Sequence, residues 1–129
     1  MFEQLIDAAN QYQAVIKKSL NFIRKACTEA GHLSTARLDE YQQVTSDLSV
    51  STAELRCASN FLDYASPRAG IERRLASTFA ADTLHNIRNR VARAPEDYGF
   101  TGEDIDQLRI DACGDLLSAT GLAKLGRQV

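Results

Sequence analysis

The sequence predicts an all-α protein, and three observations lead to that fold class. Apolar residues recur at steps of three or four over long stretches, which places them on one face of a helix. No segment alternates between apolar and polar residues as a half-buried strand would. Glycine and proline at Gly31, Pro67 and Pro95 separate these stretches. We therefore expect amphipathic helices joined by short connections, packed as an up-down-up-down four-helix bundle.

The first helix is predicted over residues 2–30. Its apolar positions keep helical spacing to the end of this range, and Gly31 follows as a stop signal. Such a stripe must be buried against other helices. It consists of Leu5, Ala9, Tyr12, Ile16, Leu20, Ile23, Cys27 and Ala30.

The second helix is predicted over residues 38–65. Asp39 and Gln42 have the spacing of a capping box, and Ser34 is a competing N-cap, so the start is open by several residues. Ser and Thr on the outer face lower its intrinsic propensity, so packing of the apolar stripe must stabilise it. That stripe is Tyr41, Val44, Leu48, Ser51, Leu55, Ala58 and Leu62.

The third helix is predicted over residues 68–94. Ser66 and Pro67 resemble a cap followed by a first-turn proline, and Pro95 prevents continuation. Gly70 leaves the start ambiguous. The expected core face carries Ile71, Leu75, Phe79, Ala80, Leu84, Ile87 and Val91.

The fourth helix is predicted over residues 102–119, with Thr101 and Asp104 as a cap. Its stripe is weaker than the others, and after Ser118 we expect one further turn or a frayed tail. The expected apolar face consists of Ile105, Leu108, Ala112 and Leu116.

Size and composition indicate a single domain over residues 1–129, since 129 residues suffice for one hydrophobic core. There is no apolar run long enough to cross a membrane, and the first residues lack a signal-peptide pattern. We expect a cytoplasmic protein. Three cysteines without paired spacing, Cys27, Cys57 and Cys113, fit small core residues in a reducing compartment.

Charge is unevenly distributed although the net charge is only −2. Residues 66–94 hold six arginines and two acids (+4), whereas residues 95–115 hold seven acids and one arginine (−6). Segments of opposite sign are expected to pack side by side and neutralise each other. A nucleic-acid surface is disfavoured because no aromatic residues interleave with the arginines.

Candidate chemistry is sparse. Asp82 and His85 have the spacing of a carboxylate–histidine pair, but a di-iron bundle needs a second such pair and further buried carboxylates. There is no glycine-rich phosphate loop and no nucleophile elbow. We therefore assign no catalytic, cofactor-binding or metal-binding residue and expect no cofactor. A carrier that holds a small apolar molecule between its helices is a minor alternative.

Three stretches resemble the C-terminal helical domain of acyl-CoA dehydrogenases. The sequence LDEYQQV at residues 38–44, with residues 47–48 and 54–56, resembles the aromatic-Gln entry to that domain's second helix. LASTFAA at residues 75–81, with YGFT at 98–101, resembles its third helix and glycine turn, and LRIDA at 108–112 resembles its last helix. The resemblance implies a four-helix domain that, in that family, forms the core of an oligomer.

The family's functional residues are not retained at the matching positions. Gly31, Ser34 and Thr35 occupy the places of an Arg and a Phe-Gly pair that would contact the flavin. The Gln and Gly-Gly before the glycine turn are replaced by Arg93, Glu96 and Asp97. The carboxylate that removes the α-proton of the thioester would fall near Ala119, and alanine cannot accept a proton.

These observations favour a non-catalytic helical bundle that acts through protein–protein association, as a homo-oligomer or with another protein chain. Two long helices beside two shorter ones would leave part of the long pair's apolar stripe uncovered. Candidate interface anchors on that pair are Tyr12, Phe22 and Phe61. The alternative is a domain or subunit of an acyl-CoA dehydrogenase-like flavoprotein that needs other domains to bind FAD and acyl-CoA.

Overall fold

The computed structural model describes residues 2–108 and 114–128, and 82% of the structure is helical, which confirms the all-α prediction. Three long helices pack together, and shorter helices complete the bundle. In chain order the elements are α1 (Phe2–Ala26), β1 (Thr28–Glu29), β2 (His32–Leu33), α2 (Thr35–Glu40), α3 (Gln42–Ala65), α4 (Ile71–Ala92), a 3₁₀ turn (Pro95–Tyr98), α5 (Gly102–Gln107), α6 (Gly114–Leu117) and α7 (Ala119–Gln128).

The first helix ends at Ala26, four residues before the predicted limit of residue 30. A two-residue turn replaces its last turn, with φ of 51° at Ala30 and 81° at Gly31. Positive φ at both central residues is the geometry that joins two antiparallel strands most tightly. The short strands β1 and β2 pair across it, so Ala30 is exposed whereas Cys27 remains buried.

The second predicted helix is divided in two. The side chain of Ser34 accepts a hydrogen bond from the Arg37 N–H and caps α2, so the competing cap is the one that forms. The helical path breaks at Tyr41, where no side chain caps the start of α3. The predicted Asp39–Gln42 capping box is therefore wrong, whereas the predicted end at residue 65 agrees with α3.

The third predicted helix starts at Ile71 rather than at residue 68. Gly70, with φ of 74°, is its N-cap residue, while Ser66 is the C-terminal cap of α3. The helix ends at Ala92, two residues before the predicted limit of 94, and Pro95 opens the 3₁₀ turn.

The capping box predicted for the fourth helix is confirmed. The Thr101 hydroxyl accepts a hydrogen bond from the Asp104 N–H, and the Asp104 carboxylate accepts one from the Thr101 N–H. The helix over residues 102–119 is nevertheless not continuous, because the backbone leaves the helical region at Leu108 and α5 ends at Gln107. Ala112 and Cys113 lie outside the described residues. The segment after Ser118 forms the helix α7.

Contacts between the long helices establish their directions. Gln13 of α1 donates a hydrogen bond to Ser59 of α3, and Phe22 packs edge-on against Tyr41, so α1 and α3 are antiparallel. Arg90 of α4 bonds to Ser51 near the middle of α3. Closer to the other end of the pair, Phe61 of α3 packs against Phe79 of α4, so these two helices are antiparallel as well.

The chain then returns along α1. Ser19 donates a hydrogen bond to the Tyr98 carbonyl, and Tyr12 donates one to the Leu108 carbonyl, 3.1 Å away. The direction therefore alternates as predicted, although short helices replace one long helix. Ile16, Ile23, Leu48 and Leu55 lie in the core, as expected from the sequence, whereas Leu20 is exposed.

The predicted neutralisation between the arginine-rich and acid-rich segments does not occur among the described residues. Arg90 pairs with Glu54 of α3, and Asp104 pairs with Lys18 of α1. The arginine-rich segment also pairs with α1, because Arg73 lies 3.6 Å from Glu3, so both segments form their ion pairs with the first two long helices. Within the described ranges, no helix is long and apolar enough to cross a membrane.

Candidate protein-interaction surface

Tyr12, the first predicted interface anchor, is part of the core. Its side chain is fully buried, and its hydroxyl bonds to the Leu108 carbonyl. A side chain used this way fixes the chain after α5 to α1 and presents nothing to a partner. Its assignment to an interface is therefore wrong.

Phe22, the second predicted anchor, is half-buried near the end of α1. Its ring packs edge-on against Tyr41, with the two centroids 6.3 Å apart. The same ring covers Gly99, where an added Cβ would lie 2.3 Å from the Phe22 Cγ atom. Phe22 thus closes one end of the bundle and is used mainly inside the chain.

Phe61, the third predicted anchor, belongs to a partly exposed cluster on the outer face of α3 and α4. Its ring centroid lies 5.9 Å from that of Phe79 and 6.4 Å from that of Tyr64. Tyr64 is 54% exposed, Phe79 42% and Leu75 37%. We call Phe61, Tyr64, Leu75 and Phe79 the aromatic surface.

Leu75 and Phe79 were expected on the core face of the third helix, and the structure contradicts this. The face of α4 that packs inward carries Ala76, Ala80, Leu84, Ile87 and Val91. Leu75 and Phe79 each precede one of these alanines, which rotates them about 100° away from the core. The bundle is closely packed through small side chains here, and the large ones remain outside.

Helical spacing explains why α3 contributes to both the core and this surface. Its buried residues form one stripe, and a second stripe follows steps of four and three along the side next to α4. This second stripe comprises Val50, Glu54, Cys57, Phe61, Tyr64 and, beyond the helix, Arg68. Because α4 runs antiparallel, Leu75 and Phe79 lie beside the apolar end of this stripe.

A cation lies at the edge of the aromatic surface. The Arg68 guanidinium carbon is 3.8 Å from the centroid of the Tyr64 ring, a cation–π contact, and the guanidinium donates a hydrogen bond to the Tyr64 carbonyl. The pair fixes the exposed ring in place. An ordered aromatic loses less entropy when a partner covers it.

The opposite end of the α3–α4 face is polar. Arg90 donates hydrogen bonds to the Ser51 hydroxyl at 2.8 Å and to Glu54 at 3.1 Å. Farther along, the Tyr98 hydroxyl donates one to Asp47 at 2.8 Å. The face therefore has an apolar half and a half in which charged groups are already paired.

A polar cleft of about 540 Å³ lies between the start of α3 and the end of α4. Burial, followed by the hydrogen bond to Asp47, raises the pKa of Tyr98 to about 12. The Tyr98 hydroxyl is therefore protonated at neutral pH and acts as a donor rather than as a base. Asp47 also accepts a hydrogen bond from Gln43, so its carboxylate is engaged on both oxygens.

The α1–α3 face, predicted as the association surface, is polar instead. A groove of about 280 Å³ runs between these helices and is lined by Asn10, Gln13, Arg56, Ser59, Asn60 and Asp63 among others. The prediction assumed that the third and fourth helices are both shorter than the first two. With 22 residues against 25 and 24, α4 is nearly as long and covers their apolar stripes.

The carboxylate–histidine spacing noted in the sequence does not produce a cluster of ligands. Asp82 accepts a hydrogen bond from Asn86 at 3.4 Å, and His85, one turn farther along α4, is half-buried. Over residues 2–108 and 114–128, no group of three or more His, Cys, Asp or Glu side chains is placed to hold a metal ion.

Comparisons with protein-family models, with curated proteins and with solved structures give no match for this chain.

Proposed function

We propose that this protein is a non-catalytic helical bundle that acts through protein–protein association, with the aromatic surface as its docking site. The single observation that carries the proposal is the contiguity of Phe61, Tyr64, Leu75 and Phe79 on one face. Isolated exposed apolar residues are ordinary, whereas a cluster of large ones marks a contact surface. Aromatic side chains also contribute most of the energy at the centres of interfaces.

The surroundings of the cluster support this proposal. Small residues such as Ala76 and Ala80 fill the core beneath it, so the large side chains above are not required for internal packing. Arg68 lies at its edge, where an interface usually carries its polar and charged groups. A cytoplasmic location, as expected from the sequence, fits the free thiols of Cys27 and Cys57.

The experiment compares three forms of the full chain as bait in extracts of the native cell, with mass identification of what is captured. The forms are the wild type, Phe79→Glu in the aromatic surface and Leu20→Glu, a matched control at a 44% exposed site on α1. We expect the wild type and the control to capture the same chains, a second copy or another protein, and Phe79→Glu to lose them. Equal capture by all three forms, or none by any, would overturn the proposal.

A second candidate follows from the resemblance to acyl-CoA dehydrogenases. Tyr41 and Gln43 from one resembling stretch and Tyr98 from another line the same 540 Å³ cleft. This proximity supports a related bundle domain whose flavin- and thioester-binding parts come from another chain.

For this second candidate we expect no flavin on the isolated chain, because Gly31, Ser34 and Thr35 stand where flavin contacts would be. Titration with FAD, followed by flavin fluorescence, should show no saturable change. The candidate requires that a captured partner restore flavin binding. It is rejected if the partner–chain complex binds no more flavin than the partner alone.

A further inference from the structure

We infer that the partner on the aromatic surface is a second copy of this chain, bound so that α3 of each copy lies against α4 of the other. This inference rests on the proposed function and adds the identity of the partner and its orientation. The two copies would be related by a twofold axis parallel to the helices. The α3 and α4 helices of both copies would together form an intermolecular four-helix bundle.

The contacts within one chain show which residues of α3 and α4 lie at the same position along the helix axes. We call this position the level of a residue. Phe61 lies beside Phe79, and Glu54 lies beside Arg90. Since the two helices are antiparallel with equal rise per residue, positions whose numbers sum to about 140–144 share a level. Tyr64 and Leu75, whose numbers sum to 139, are therefore nearly level. Arg68 follows the end of α3 in the connection to α4, and its guanidinium lies over the Tyr64 ring, which places it at the same end of the face as Leu75 and Glu72.

A twofold rotation about an axis parallel to these helices preserves the level and exchanges the two sides of the face. Phe61 of one copy then faces Phe79 of the other, which joins the two aromatic surfaces. At the apolar end, Arg68 faces Glu72 of the second copy, and the symmetry repeats this pair. The rim of the contact thus carries two symmetry-related ion pairs between the copies.

The other orientation is less favourable. A twofold axis perpendicular to the helices and passing through the aromatic surface would place α4 of one copy against α4 of the other. Glu72 of one copy would then approach Asp82 of the other. Like charges opposed across an interface cost free energy. In this orientation Arg68 of one copy would lie opposite Cys57 of the other, which cannot form an ion pair with it. Charge complementarity therefore selects the axis parallel to the helices.

The size of the face matches that of a stable dimer. Helices of 22 and 24 residues are about 33–36 Å long, and a packed pair is about 20 Å wide, which gives about 700 Å² for each copy. Specific interfaces of standard size bury about 800 Å² on each partner. The apolar half would form the centre of the contact, and the paired polar residues would form its other end.

The test uses charge reversal and sedimentation equilibrium at low salt, where ion pairs are least screened. Arg68→Glu brings two carboxylates together at both symmetry-related pairs at the apolar end, and Glu72→Arg brings two guanidinium groups together at the same places. Each variant alone should dimerise at least about tenfold more weakly than the wild type. In an equimolar mixture, the heterodimer avoids both homodimers' repulsion at the rim, because one copy then presents two acids to two arginines of the other. Its affinity should return to within about threefold of the wild-type value.

Arg56→Glu is the matched control, because Arg56 lines the polar α1–α3 groove on the other side of α3 and should leave dimerisation unchanged. Circular dichroism verifies that every variant is folded. A wild type that stays monomeric over a hundredfold concentration range overturns the second copy as partner, and the capture experiment still decides the proposed function. A dimer that Phe79→Glu abolishes but that the mixture does not restore overturns the orientation and leaves the surface in place.

Discussion

The Lys18 ammonium group of α1 lies 2.9 Å from both carboxylate oxygens of Asp104 on α5. The same carboxylate accepts a hydrogen bond from the Thr101 N–H and thereby caps α5. One nearly buried side chain therefore both starts a helix and fixes it against the first helix of the chain. Loss of its charge should loosen the local cap and the long-range contact together.

Stability should fall in acid through Asp104. The hydrogen bond from the Thr101 backbone, followed by that from Lys18, lowers the pKa of this carboxyl below its usual value. A lowered folded-state pKa contributes stability that is present above the unfolded pKa of about 4 and is lost as pH falls through the folded value. Urea unfolding between neutral pH and pH of about 2 measures this loss.

Asp104→Asn should be less stable than the wild type at neutral pH and should lose less stability in acid. Asp106→Asn, at an exposed site of the same helix, is the control and should follow the wild-type curve. Parallel acid profiles for the wild type and Asp104→Asn would contradict the prediction.

Tyr98 should ionise later than an ordinary tyrosine. Its pKa is raised to about 12 by burial and by the hydrogen bond to Asp47. A raised folded-state pKa gives stability that is complete below the unfolded pKa of about 10 and is lost as pH rises through about 12. Tyrosinate absorbance of the folded protein should show a late step that Tyr98→Phe removes. If the late step persists in Tyr98→Phe and only the total amplitude falls, the late step belongs to another group.

Gly99→Ala should destabilise the protein by about 3 kcal/mol or more. The left-handed backbone at φ of 74° costs a side-chain-bearing residue about 1–2 kcal/mol, and the new Cβ must also displace the ring of Phe22. Gly31→Ala is the control, since φ there is 81° but nothing lies within 4 Å of an added Cβ. It should cost only the backbone term of about 1–2 kcal/mol. Equal losses in chemical denaturation would show that Phe22 moves aside freely.

Leu55→Ala should cost about 2–5 kcal/mol, because Leu55 is 2% exposed and its truncation leaves a cavity in the hydrophobic core. Leu20→Ala removes the same atoms from an exposed site and should change the free energy of unfolding by less than about 1 kcal/mol. The midpoints of urea unfolding compare the two. A larger loss for Leu20→Ala would mean that the buried face of α1 is assigned incorrectly.

Several features that depend on neighbouring residues could be predicted from the sequence, although the Asp39–Gln42 capping box could not. The Thr101–Asp104 capping box and the buried positions of Leu48 and Leu55 follow from local spacing alone. The predicted end of α1 is too late, because apolar spacing continues through Cys27. A two-residue turn at Ala30 and Gly31 competes with one more helical turn, and spacing does not distinguish them.

Features that depend on which side of a helix meets the rest of the chain were harder to predict. The inward face of α4 is built partly from alanines, so the largest apolar residues, Leu75 and Phe79, wrongly indicated the core. Tyr12 is wrongly predicted as an anchor, because a sequence does not show that the carbonyl of Leu108, far along the chain, accepts a hydrogen bond from its hydroxyl. Of the three predicted anchors, Phe61 alone belongs to the aromatic surface.

The return of the last segment along α1 has a consequence for biosynthesis. Tyr12, Lys18 and Ser19 bond to groups that lie 96, 86 and 79 residues later in the chain. A ribosome that adds about 5–20 residues per second needs about 4–19 seconds to make that distance. Throughout this interval one side of α1 lacks its cover, so a nascent chain that has not reached Tyr98 is a form on which chaperones should act.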